Sequence, residues 1–118
     1  TVQAAIAKSK TLLASKRSQL HNSVAILWEE SQHKNTFTDE QLADVWAASC
    51  EAVKEAKCML SEIYAVAGTS SLYQKYKIER AHRDIHAISQ HGIIQPHWMD
   101  QAEMAYVGIK PTGAMFRT

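Results

Sequence analysis

The sequence predicts an all-α protein, an up-down helical bundle, and three observations carry that prediction. Residues 1–67 hold neither glycine nor proline, so nothing interrupts a long helix there. Apolar residues recur at spacings of three, four and seven, the repeat of one helix face. No stretch alternates apolar and polar residues long enough to argue for a strand.

The first helix is expected over about residues 1–30, where Val2, Ile6, Leu13, Leu20, Val24 and Leu27 form one stripe. Lys8, Lys10, Lys16 and Glu29 fall mostly off it. Residues 31–37, SQHKNTF, break the pattern and read as a loop. Thr38 and Gln41 then make a capping box, with Asp39 and Glu40 at the positive end of the helix dipole. The second helix, about 39–67, carries the seam Leu42, Trp46, Ser49, Val53, Ala56, Leu60, Ile63, Ala67, a near-heptad alternation of four and three. Gly68 stops it, and GTSSLYQKYK, residues 68–77, reads as a loop. A shorter helix follows over about 78–92. Pro96 suits the first position of a last one, about 96–107, which Gly108 ends. The bundle domain is thus 1–108, and the tail IKPTGAMFRT, 109–118, is expected to be extended or disordered. The two long helices run some 40–45 Å, and a helix of half that length cannot cover both seams. The bundle therefore reads as incomplete: either chains associate or an N-terminal helix completes it.

Composition narrows the class. A chain of 118 residues suffices for one domain with a modest core. Its 46% hydrophobic and 21% charged residues place it with soluble globular proteins. A net charge of +1 leaves no electrostatic footprint for nucleic acid or a membrane surface. No apolar run reaches the length of a membrane span, and the start does not resemble a signal peptide. Thr1 is not a natural start, so that end reads as cut or processed. Cys50 and Cys58 lie eight apart on one helix, about 12 Å along its axis, too far for a disulfide. Reduced thiols in a cytoplasmic setting are the expectation.

The densest chemistry is ERAHRDIHAISQH, residues 79–91. At 100° per residue, Ala81, Ile85, Ile88 and Gly92 share the core-facing side. His82 and His86 lie on a second face, Arg80, Asp84, Ala87 and His91 on a third. His82 and His86, four apart, have a chelating spacing. The neighbours Glu79 and Ser89 are indifferent ligands, no cysteine is near, and no H-E-x-x-H occurs, so no metal is expected and a solvated or interfacial face is the plainer reading. Arg80 with Asp84, and Glu79 with Arg83, have ion-pair spacing. His91 lies two turns beyond Asp84 with only Ala87 between, which leaves room for something to dock. The plain alternative is a set of ordinary surface pairs. A histidine there has the chemistry of an acid, a base or a hydrogen-bond donor, and the sequence does not choose.

The run AVAGTSSLYQKYKIERAHRDIHAISQH, residues 65–91, resembles the C-terminal helical domain of the acyl-CoA dehydrogenase fold. More narrowly it resembles the type 2 branch, which includes flavin-dependent two-component monooxygenases supplied with reduced flavin by a separate reductase. The matching residues are the loop Gly68-Thr69-Ser70-Ser71, then Ile78-Glu79-Arg80, Arg83-Asp84 and His91. The resemblance covers nearly the whole chain. It implies that Gly68–Ser71 lie near flavin, FMN or FAD, often across a subunit interface. It implies that Arg80, Arg83 and Asp84 hold the helix and help the cofactor site, and that His91 is catalytic. In the monooxygenases the histidine at this place faces the flavin ring, where it stabilises a flavin hydroperoxide or helps deprotonate the substrate. Acyl-CoA dehydrogenases use a catalytic glutamate that has no identifiable place here, so the monooxygenase branch is favoured over the dehydrogenase. The implied partners are further copies of the chain, in a dimer or tetramer, and a reductase. The family's N-terminal helical domain, middle β domain and first long C-terminal helix have no counterpart, and Thr69 replaces the loop's usual second glycine. A piece of this size is not expected to enclose a flavin alone. A stand-alone helical assembly module is the non-catalytic alternative.

The remaining features read as packing. Trp28, Trp46, Trp98, Met99 and Met104 sit at helical spacing and are expected in the core. Tyr73 and Tyr76 either touch a ligand or anchor their loop. Neither cysteine has a partnered base, and no glycine-rich phosphate loop occurs.

Overall fold

The computed structural model describes residues 2–67, 72–91, 94–113 and 116, and among them there are four helices and no strand. These are α1 (Val2–Ser31), α2 (Asp39–Ala67), α3 (Leu72–Ser89) and α4 (Pro96–Tyr106). The described body measures 54 × 24 × 23 Å, its length set by the two long helices.

The capping box forms reciprocally. The Gln41 N–H donates to Thr38 Oγ1 at 3.1 Å and the Thr38 N–H donates to Gln41 Oε1 at 3.0 Å. Two amides that a helix start leaves unpaired are thereby satisfied, which fixes where α2 begins. α2 is the centre of the molecule and packs against α1, α3 and α4. Lys8 near the start of α1 meets Glu62 near the end of α2 at 3.5 Å, while Leu27 packs with Leu42 at the opposite end, so α1 and α2 are antiparallel.

The apolar stripe of α1 does not coincide with its packed face. Ala5, Ser9, Leu12, Lys16, Leu20, Ser23 and Leu27 are the residues covered, whereas Ile6, Leu13 and Val24 stay about half exposed. At 100° per residue the two rows are separated by roughly 70°. α1 thus has one side on α2 and a second apolar side open, consistent with a seam that the described residues leave uncovered. Trp28, expected in the core, is 71% exposed, because it lies beyond even that second row.

The core sits at one end, where the start of α2 meets α4 and the tail. Leu42, Ala43, Ala47, Ala102 and Phe116 are buried there, with Leu27, Phe37, Trp46, Trp98 and Met99 packed around them. The alanines let α4 lie close on α2. Trp46 and Trp98 stack with centroids 5.9 Å apart. Tyr106 donates to Asp44 Oδ1 at 2.5 Å, and Lys110 pairs with Asp39 at 3.2 Å, so α4 is held at its far end as well. Gly108 closes α4 with φ 81°, a left-handed conformation suited to glycine.

The tail differs from expectation. Gln101 is buried, and its Oε1 accepts from the N–H groups of both Thr112 and Gly113, each at 2.8 Å. Pro111 is buried, and Phe116 is only 2% exposed. Burying a phenylalanine contributes about 1.5–3 kcal/mol, which offsets part of the entropy lost in ordering the segment. Pro111 and Phe116 thus add to the core, while Ile109, Lys110 and Thr112 stay exposed.

Candidate functional site

α3 begins at Leu72, six residues before the expected start at Ile78. LYQKYK contains no helix breaker, and its aromatic and polar character does not prevent a helix. Gly68, Thr69, Ser70 and Ser71, the expected cofactor loop, lie outside the described residues, as do Gly92 and the side chains of Tyr73 and Tyr76.

The face of α3 that meets α2 overlaps the expected one at Ala81 and Ile85 but is displaced from it. Ile78, Ala81, His82, Ile85, His86 and Ser89 are partly covered, while Ile88 is 50% exposed. The packed arc is shifted toward the histidines. His82 stacks on Tyr64 of α2 at 5.4 Å between centroids, and its Nε2 lies 3.4 Å from Ser61 Oγ. The His86 ring stands 4.2 Å from that of His82, and its Nδ1 is 2.8 Å from the His82 carbonyl oxygen, to which it donates. His82 and His86 are therefore interhelical packing residues. Among the described residues no group of three or more His, Cys, Asp or Glu side chains is placed to hold a metal ion. No described helix is long and apolar enough to cross a membrane.

Arg80, Arg83, Asp84 and Ala87 form the exposed outer face of α3, turned away from α2. Neither Arg80–Asp84 nor Glu79–Arg83 is among the ion pairs of the described residues, which are Lys8–Glu62, His33–Glu29, Lys34–Glu30 and Lys110–Asp39. Two exposed guanidinium groups with no carboxylate partner among the described residues suit a phosphate-bearing ligand, which they can grip in bidentate fashion.

His91 stands just past the end of that helix. α3 ends at Ser89, and the next two amides close i→i−3 bonds, Gln90 to Ala87 at 3.1 Å and His91 to Ile88 at 3.0 Å. That tightening is common at a helix end. The Gln95 side-chain amide then donates to the Ser89 and His91 carbonyls, each at 3.2 Å, satisfying acceptors the helix end leaves open. His91 is thus an exposed residue at the start of the bend between α3 and α4.

Beside this bend lies an open cleft of about 430 Å³ between α2, the end of α3 and the first turn of α4. Cys50, Val53, Lys54 and Lys57 line it from α2, at i, i+3, i+4 and i+7, with Ser89, Ile94 and Met99 opposite. Burial, and then the nearby Glu51 carboxylate, push the Cys50 thiol above its ordinary pKa, so it is a neutral part of the wall. Sequence reasoning missed this cleft. The spacing of its α2 residues was visible, but the closing wall comes from the bend after α3, whose course no periodicity gives.

A family model described as Acyl-CoA dehydrogenase, C-terminal domain, matches residues 1–96. The chain belongs to this family. The acyl-CoA dehydrogenase C-terminal domain, here of type 2, is a helical domain of flavin-dependent oxidoreductases, and its members generally bind flavin. The match ends at Pro96, so nearly all of α4 and the packed tail lie beyond it. No curated protein matches the chain, and no solved structure does.

Proposed function

We propose that the chain forms the C-terminal flavin-site and oligomerisation domain of a flavin-dependent monooxygenase that takes reduced flavin from a separate reductase and uses O2. The observation that carries this reading, beside family membership, is the exposed outer face of α3, whose two guanidinium groups have no carboxylate partner among the described residues. When bound, the flavin would supply the electron transfer and the reaction with oxygen. Arg80 and Arg83 would hold its phosphate, and Asp84, exposed beside them, would border the cofactor site. Gly68–Ser71 would lie against the cofactor. His91, exposed on its bend, would hold or accept a proton beside the flavin.

The test uses the flavin-loaded protein that contains this chain. Reduced flavin is mixed with oxygen, and its reoxidation is followed with and without His91→Ala. The expected result is unchanged flavin affinity and a change in reoxidation rate on the order of a hundredfold. An unaltered rate removes His91 from the chemistry. Mixing the oxidised holoprotein with acyl-CoA esters under anaerobic conditions tests the dehydrogenase alternative, which requires bleaching of the flavin.

A second reading is favoured by the open row of Ile6, Leu13 and Val24 on α1: a helical module that associates with its own kind and has no catalysis. It requires that the chain sediment as an oligomer and leave flavin fluorescence untouched. Flavin quenching by the same oligomer returns the first reading.

A further inference from the structure

We propose that the cleft between α2, the end of α3 and the first turn of α4 binds a small amphipathic carboxylate. The inference does not rest on the flavin reading. At about 430 Å³ the cleft is within the range of small-molecule sites. Its walls are mainly apolar, from Cys50, Val53, Ile94 and Met99. A site of that character takes an apolar body.

The charge at its edge selects the other end of the ligand. Lys54 and Lys57 border the cleft, and no ion pair engages either of them among the described residues. Side chains of this kind can lay an apolar stem along a wall and keep the ammonium group in water, and Lys54 is exposed and Lys57 half-buried. Glu62, one turn on, is taken by Lys8 at 3.5 Å. Glu51 also lines the cleft, so two cations against one carboxylate leave a single net positive charge. That balance fits a monoanion better than a phosphate dianion or a cation.

Two further polar side chains of the wall, Gln95 and Ser89, are already engaged. Gln95 bonds the Ser89 and His91 carbonyls, and the Ser89 hydroxyl donates to the His86 carbonyl at 2.7 Å. They make no demand for a ligand rich in hydroxyl groups. A carboxylate on a flexible or aryl hydrocarbon answers both features of the cleft.

The probe is octanoate, titrated into the full chain with the methyl resonances of Val53, Ile94 and Met99 observed by NMR. Octanol, the same length without the charge, is the comparison. Saturable shifts at these three residues are expected, with octanoate bound about tenfold more tightly than octanol, the value of one charge-assisted contact. In the Lys54→Gln/Lys57→Gln double variant that preference is expected to vanish while octanol binding stays. Equal binding of the two probes by the unaltered chain overturns the proposal without any variant. So do shifts that appear with the same concentration dependence at Ile6 and Leu13 of α1, which mark unspecific adsorption.

Discussion

The α-carbon of Gly113 lies against the ring of Trp98, so close that a Cβ at 113 would stand 2.7 Å from Cζ3 of the indole. That ring is stacked on Trp46 in the core and has little room to yield. The glycine is needed here for close approach; its φ is not in the left-handed region. Gly113→Ala is expected to cost about 1–3 kcal/mol by overpacking. A lowered midpoint of urea unfolding, together with a change in near-ultraviolet tryptophan ellipticity, checks it. An unchanged midpoint means the tail is not seated as described.

The capping box gives a second prediction. Thr38→Ala removes the acceptor for the Gln41 amide, and Gln41→Ala removes the acceptor for the Thr38 amide. Each loss is expected to cost about 1 kcal/mol, and the double variant less than the sum, because the two bonds are made by one pair of side chains. A double-mutant cycle in urea measures the difference. Strict additivity contradicts the reciprocal geometry.

Parts of this architecture were legible in the sequence, for reasons that differ between elements. Thr38 and Gln41 announce the start of α2 because a cap is a local device, written in four consecutive residues. The α2 seam was readable because Leu42 to Ile63 repeats over many turns. α1 misled because Ile6, Leu13 and Val24 form a real stripe, yet a pattern does not say which of two adjacent sides meets a neighbour. The end of α3 was misplaced for a different reason: the periodicity ran helix to about Gly92, and α3 stops at Ser89, where Gln95 from the next element caps it. The tail is the extreme case. The bonds from Thr112 and Gly113 to Gln101 span eleven and twelve residues, and neither end carries a motif. Of the candidate site, the exposed arginines were foreseen and the cleft beside the bend was not.

Thiol reactivity supplies a third prediction. Cys50 is buried and its thiol is held neutral, first by burial and then by Glu51, whereas Cys58 is exposed. A thiolate-selective reagent at mild pH is expected to label one cysteine per chain quickly, and that one is Cys58. Cys50 should react only slowly or on unfolding. Peptide mapping of the labelled protein reads this directly, and rapid labelling of Cys50 would show that the α2–α4 interface opens freely.

The last prediction concerns alkaline pH. Burial holds the Tyr106 phenol above its ordinary pKa, helped by its hydrogen bond to Asp44 and by the charges of Asp44 and Glu40. The folded state therefore keeps a proton that the unfolded chain releases. Where the unfolded state binds fewer protons, stability falls as pH rises. The contribution is fully present below the ordinary tyrosine pKa of about 10 and declines above it toward the raised folded value. Tyr106→Phe removes that dependence. It is also expected to cost about 0.5–1 kcal/mol at neutral pH, the low end for a hydrogen bond to a charged group because the pair is half exposed. Unfolding in urea at a series of pH values compares the two proteins. Their stabilities should converge as pH climbs through the alkaline range, since the unaltered protein loses there what the variant never had. Parallel curves would mean that the Tyr106–Asp44 bond does not control the alkaline limb. The hold of α4 on the start of α2 would then rest on the Trp46–Trp98 stack, the buried core around Ala43 and Ala102, and the Lys110–Asp39 pair.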